Sequence, residues 1–198
     1  HNLGLAGLIQ TLTSLGRTEE LNIYGPKELK SIAEFFINWG GYFESGYPIK
    51  FHEVKEGKVF ENPDFSMTAF KLEHAVTCYG YVLEERIGVN LDMKKLNRIG
   101  IEEGPICKEL KEKGEITWRG KKVKLRDYSK PQRRARKVVY VTDTKPCENI
   151  VEYSRNADIL ICEATHAEEL KEKSNEYFHM TSKDAARLAK KADVGKLI

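Results

Sequence analysis

The sequence holds no apolar run long enough to span a bilayer, and it opens on His1 without a basic-then-apolar leader, so the expected setting is cytoplasmic. Its four cysteines, Cys78, Cys107, Cys147 and Cys162, include no CxxC pair and stand in apolar or helical contexts. That excludes a zinc ribbon and a disulfide framework, and it fits a reducing compartment. Neither sign of charge dominates: 33 Lys and Arg stand against 30 Asp and Glu, a net charge of +3. There is no global basic field, so any affinity for a polyanion has to be local. No internal repeat is present, and 40% hydrophobic with 32% charged residues excludes a disordered chain. A chain of 198 residues can bury one substantial core with an appended module.

What is present reads as alternating helices and strands. Leu5, Leu8, Ile9, Leu12 and Leu15 recur at helical spacing and Gly16 stops the run. "LNIYG" then reads as a short buried strand, and "PKELKSIAEFFINWGG" as a second helix with Pro26 in its first turn and Gly40 at its end. The period changes in "IKFHEV", "KVFE", "FSMTAFKLEH" and "YGYVLEE", which predict meandering antiparallel strands. After Lys137 the alternation returns: strand "VVYVTD", helix "CENIVEYSRNA", strand "ILICEAT", helix "SKDAARLAKKA" and a closing strand-like "KLI". The fold class is α/β.

Between Arg86 and Lys137 the apolar period weakens and about half of the residues are charged or glycine, as an insertion would be. "LDMKKLNRIG" and "ICKELKEKG" predict short helices, and "EITWRGKKVKL" a hairpin turning at Arg-Gly. Arg119, Lys121, Lys122, Lys124 and Arg126 lie on or beside that hairpin, where alternate residues share a face that could meet phosphates. "KPQRRARK", with Arg133, Arg134 and Arg136, closes the segment. A solvated charged surface is the competing reading.

Candidate chemistry rests on few residues. Of five histidines, His1, His74 and His179 stand at predicted strand ends or beside acidic and hydroxyl residues, and Asp143 ends the strand "VVYVTD". Open α/β cores gather their sites where strands end. Neutral imidazoles with a shared carboxylate are what zinc takes, and a carboxylate can bridge two ions. The same histidines can equally be capped, partly exposed side chains.

Several separated blocks together resemble one family. "HNLGLAGLIQTLTSLGRTEELNIYGPKEL", "LEHAVTCYGYVLEE", "VTDTKPCENIVEYSRNADILICEATH" and "HMTS" are similar, in order, to ribonuclease Z, the tRNA 3′-processing endonucleases of the metallo-β-lactamase superfamily. The resemblance implies an αββα metallo-β-lactamase sandwich, here truncated at both ends, with core segments 1–85 and 138–198 and an inserted flexible arm at 86–137. It implies that His1 matches the last histidine of the HxHxDH signature, His74 the next metal ligand, and Asp143 the carboxylate bridging two zinc ions. Glu163 then matches the HEAT-like block and His179 the histidine of the HST block, both acting on the RNA near the cut. The helix beginning near Pro146 would fix the turn that holds Asp143.

Thr142 stands where the family has glycine, and Met180 interrupts the His-Ser-Thr run, leaving Thr181 as the nearest hydroxyl. The first two histidines and the aspartate of HxHxDH, and a distal histidine, have no counterpart here. The expectation is therefore a portion of a longer protein, inactive and weakly zinc-binding by itself. Gly104 and Pro105 match the arm's Gly-Pro element, expected to clasp tRNA. The implied function is zinc-dependent removal of the 3′ trailer from precursor tRNA, in a homodimer formed through the early helices. The alternatives are another phosphodiesterase with the same metal core, or a catalytically incomplete RNA-binding fragment.

Overall fold

The computed structural model describes residues 3–38, 41 and 44–198. His1 and the expected helix end at Gly40 lie outside them. The chain divides into two compact units, one of residues 1–61, 66–83 and 137–198, the other of 62–65 and 84–136.

In the first unit, α1 (Gly4–Ser14), β1 (Leu21–Gly25), α2 (Leu29–Ile37) and β2 (Ile49–Glu53) come first. β1 and β2 pair in parallel, Leu21 opposite Ile49 through Gly25 opposite Glu53. This corrects the reading of "IKFHEV" as part of an antiparallel meander. Its alternation marks a strand but not its partner, and α2 provides the crossover that parallel pairing needs. Ile9, Ile23 and Tyr47 form the buried centre of this layer, and the Tyr47 hydroxyl donates to the Ile9 carbonyl at 3.0 Å.

A five-stranded sheet follows in the order β3-β4-β5-β8-β9, built from β3 (Gly57–Glu61), β4 (Phe65–Lys71), β5 (Tyr79–Glu85), β8 (Lys137–Val141) and β9 (Ile159–Cys162). β3 and β4 are antiparallel with a register shift between Lys58 and Phe60, whereas β8 and β9 run parallel. α5 (Glu148–Ser154) connects that parallel pair, and α7 (Ser182–Lys191) packs with it. Phe70, Val139, Val141, Ile150, Leu160 and Met180 are fully or almost fully buried at the centre. Gly80 is required here: a Cβ on it would lie 2.4 Å from Cζ of Phe70, whose ring stacks on Tyr153 with centroids 4.4 Å apart.

The short α6 (Lys171–Glu176) has no counterpart in the sequence reading, because it is polar and buries only Ser174. "KLI" lies beside β9: Leu197 bridges Leu160 in parallel, and the Ile198 N–H donates to the Leu160 carbonyl at 2.9 Å.

The second unit contains α3 (Met93–Arg98), α4 (Pro105–Lys113) and the antiparallel hairpin of β6 (Glu115–Trp118) and β7 (Lys121–Lys124). Its own core is Leu91, Leu96, Ile101, Cys107, Leu110, Ile116 and Val123. Trp118 pairs with Lys121, so Arg119 and Gly120 form a two-residue turn, both with positive φ, as a type I′ hairpin demands. Asp92 caps α3, accepting the Lys95 N–H at 3.2 Å, and Pro105 opens α4 where a missing N–H costs nothing.

Candidate active site

Four loops of the first unit bring the chemistry together. Asp143 lies two residues beyond the C-terminal end of β8, and Glu163 one residue beyond β9, so parallel pairing delivers both carboxylates to the same sheet edge. His74 lies in the turn between β4 and β5. His179 precedes α7, whose first turn is closed by a reciprocal capping box of Thr181 and Asp184.

His179 and Glu163 are directly paired. Nδ1 of His179 is 2.9 Å from Oε1 of Glu163 and 3.8 Å from Oδ1 of Asp143. Thr144 N–H donates to Glu163 Oε1 at 2.7 Å, and the Thr165 hydroxyl donates to Oε2 at 2.6 Å. The Glu163 side chain is 9% exposed. Burial pushes its carboxyl up, but the bonds from Thr165, Thr144 and His179 outweigh that and hold it below the ordinary carboxylate value. Glu163 is thus a carboxylate at neutral pH, and because it can only accept, Nδ1 of His179 carries the proton.

His74 is set the same way. Its Nδ1 is 3.1 Å from the carbonyl oxygen of Phe178, and its ring centroid is 5.4 Å from that of His179. The carbonyl accepts, so Nδ1 is the protonated nitrogen and Nε2 keeps its lone pair for a ligand.

The turn holding Asp143 is fixed differently from the sequence expectation. α5 begins at Glu148, after Pro146, and has no side-chain cap. The turn is fastened instead by Thr144, fully buried, whose hydroxyl accepts the Glu73 N–H at 3.0 Å, and by Lys145 N–H, which donates to the Glu73 carbonyl at 2.8 Å. These bonds tie the Asp143 loop to the His74 loop. Met180, in place of the hydroxyl after His179, is fully buried in the core. The Thr181 hydroxyl is engaged by Asp184 and Glu168, and the hydroxyl beside His179 is that of Thr165, 3.3 Å from Nδ1. Thr144, Thr165, Lys145 and Phe178 were not singled out from the sequence. Thr144 and Thr165 could have been, as hydroxyls one and two residues after a candidate carboxylate.

Asp143, Glu163 and His179 each offer a ligand atom within 4.8 Å of the others, a spacing compatible with an ion. Nε2 of His74, with Nδ1 held by the Phe178 carbonyl, offers a further imidazole ligand atom. This oxygen and imidazole chemistry matches zinc. The thiols nearby do not contribute: burial pushes Cys78 up to about 11 and Cys162 to about 12, leaving both protonated.

The expected RNA-binding residues all lie in the second unit. Gly104 and Pro105 form the start of α4. Lys122 and Lys124 alternate with the buried Val123 along β7, and Arg119 lies over the Trp118 ring at 5.7 Å. Lys124, Arg126, Lys130 and Gln132 line a shallow cleft of about 620 Å³. Arg133 is differently placed: its guanidinium forms a two-pronged pair with Glu85, which holds that carboxyl down near about 2. Arg136 donates its N–H to the same carboxylate at 3.0 Å.

The fold is that of the metallo-β-lactamase proteins: the metallo-β-lactamase fold protein YhfI of Bacillus subtilis superposes over 97% of this chain and 56% of its own with TM-score 0.57 at 20% identity. Human tRNase Z, short form, superposes over 98% of this chain and 67% of its own with TM-score 0.62 at 19% identity. In sequence, the chain is similar to ribonuclease Z along its whole length. It is 39% identical to Ribonuclease Z of Thermococcus onnurineus over 195 residues, 98% of this chain and 61% of that protein. It is 36% identical to Ribonuclease Z of Pyrococcus horikoshii over 199 residues, 100% of this chain and 64% of that protein. The chain thus spans about three fifths of the length of the curated relatives it matches. No family model matches it.

Proposed function

We propose that this chain is the larger part of a zinc-dependent endoribonuclease that removes the 3′ trailer from precursor tRNA, leaving a 3′-hydroxyl on the tRNA. The observation that carries the reading is the convergence of His74, Asp143, Glu163 and His179 in a chain similar throughout to ribonuclease Z.

His74, through Nε2, and Asp143 would hold metal, together with ligands from the rest of the protein. Zinc, when bound, supplies Lewis-acid stabilisation of the charge that builds on the phosphate. Glu163 accepts a hydrogen bond from Nδ1–H of His179, which leaves Nε2 for proton transfer. From Nε2 the protonated His179 would give its proton to the departing 3′-oxygen as water adds to phosphorus; one water hydrogen stays on the trailer's new 5′-phosphate and the other is released to solvent, so the tRNA leaves as the alcohol. Thr165 and Thr144 keep the Glu163 carboxylate from rotating away.

The second unit would be the arm that grips the RNA, through Gly104-Pro105 and the cations Arg119, Lys121, Lys122 and Lys124, with Arg134 and Arg136 beside them. Arg133 would act through its pair with Glu85, anchoring the basic segment that precedes β8. Two copies would associate through α1, on which Leu8 is 52% exposed and the flanking Leu3 and Leu15 are 69% and 78% exposed. The expected compartment is the cytoplasm, where the cysteines stay reduced.

The deciding experiment is cleavage of a structured precursor tRNA by the full-length protein with zinc. A product ending at the mature 3′ end, lost on chelation and restored by zinc, supports the reading. Hydrolysis of small phosphodiesters with the precursor left intact would replace it by the small-substrate alternative.

A further inference from the structure

Phe178 has φ +59. That left-handed conformation is uncommon for any side chain but glycine and is an outlier for a bulky one. Such a conformation persists where its surroundings impose it, and it gathers at functional sites. The surroundings here are specific. The Phe178 carbonyl accepts Nδ1–H of His74 at 3.1 Å, and its ring meets the His74 ring edge-on, with centroids 6.2 Å apart and an interplanar angle of 88°. On its other side, Nζ of Lys145 lies 4.2 Å from the ring centroid. The residue that follows is His179, whose N–H donates to the Ser174 carbonyl at 2.8 Å while Nδ1 meets Glu163.

A single backbone reversal therefore governs both imidazoles. An extended or helical residue 178 would turn its carbonyl away from His74 and displace His179 from Glu163, because the direction of both follows from the same two dihedrals. Without that carbonyl, His74 could place its proton on Nε2 and would then have no lone pair there.

We propose that Phe178 is a positioning residue. Its left-handed backbone holds His74 in the Nδ1–H form with Nε2 open to a metal ion, and the same turn sets His179 against Glu163. Only the use made of the open Nε2 rests on the hydrolase reading above.

The test uses the full-length protein with three substitutions. Phe178→Gly adopts the left-handed turn without strain but lacks the ring, Phe178→Ala lacks the ring and resists the turn more, and the β-branched Phe178→Val resists it most. Imidazole ¹⁵N spectra of the metal-free protein near pH 8, above the ordinary histidine pKa of about 6.5, report the His74 tautomer directly. Zinc affinity is measured by competition with a chromogenic chelator, and kcat and KM with precursor tRNA.

The wild type and Phe178→Gly should keep Nδ1–H and the same zinc affinity. Phe178→Val should show mixed tautomers, a zinc affinity lower by about 10–100-fold, the usual cost of losing the group that orients a ligand, and a lower kcat at unchanged KM. Should Phe178→Val not fold, Phe178→Ala must hold less Nδ1–H than Phe178→Gly. Equal tautomers across the folded variants, or loss of Nδ1–H in Phe178→Gly, would overturn the proposal. The expected tautomer order in a protein that neither binds zinc nor cuts precursor tRNA would uphold it and sink the hydrolase reading instead.

Discussion

Glu163 shows how much of the site depends on single atoms. Both of its oxygens accept from fixed donors, among them the Thr144 N–H and the Thr165 hydroxyl. Glu163→Gln keeps the shape but points an amide N–H₂ at one of those donors and removes the negative charge beside His179. We expect kcat on precursor tRNA to fall by about 10²-fold or more with KM little changed, within the usual span for general acid catalysis. A loss confined to KM would remove His179 and Glu163 from the chemistry. Gly80→Ala acts on the core instead, since the new Cβ would press into the Phe70 ring 2.4 Å away. The expected loss is about 1–3 kcal/mol in urea unfolding, the usual cost of overpacking.

At this scale the sequence was readable for residues of distinctive chemistry. His74, Asp143, Glu163 and His179 could be named before any coordinates, by chemistry and by resemblance. Phe178 could not, because its importance lies in a backbone dihedral that its side chain does not announce. Thr144 could be picked out as a hydroxyl beside Asp143, but not its partners, because Glu73 and Glu163 are distant in sequence and adjacent only in the fold.

Among the elements, α7 is the one that most directly steadies the site, because its capping box begins two residues after His179. Asp184 is 6% exposed and accepts from Thr181 and Lys171. Burial pushes its carboxyl up, and the bonds from Lys171 and Thr181 outweigh this and bring it below the ordinary value. A depressed folded pKa means stability that is present above the unfolded value of about 3.9 and is lost as pH falls through the folded value. Asp184→Asn should therefore cost about 1 kcal/mol at neutral pH, as cap losses do, with the difference from wild type shrinking below about pH 4. Urea titrations at both pH values check it, and a constant difference would mean the carboxylate charge is not what acts.

Local pattern predicted most of these elements and missed in two informative places. The strand β2 was recognised from its alternation but given the wrong neighbours, because partner choice is a long-range decision that alternation does not encode. The helix α6 was missed because "KEKSNE" carries no apolar stripe; its first turn follows directly on the 3₁₀ turn Glu168–Leu170.

For the molecule as a whole, the βα alternation and the resemblance made the fold class legible. The core of the second unit was not, because elements of four to nine residues each bury only one or two side chains, so no window shows a period. Its cationic hairpin carries the largest-scale prediction. Replacing Lys121, Lys122 and Lys124 by Ser in the full-length protein should weaken precursor-tRNA binding. The slope of log affinity against log salt should flatten by about 0.7–0.9 for each phosphate no longer neutralised. An unchanged slope would take the hairpin out of RNA binding.

The way this unit is joined to the chain has a further consequence. The strands that lead into it and out of it, β5 and β8, are neighbours in the sheet, and Glu85 and Arg136 bond to each other through main chain and side chain. The two ends of the 86–136 segment are therefore already held together by the sheet. Closing a longer or shorter loop between such ends changes the entropy of folding only slowly with length. A shortened or lengthened 86–136 segment should therefore leave β8 and β9, which lead to Asp143 and Glu163, in their parallel register.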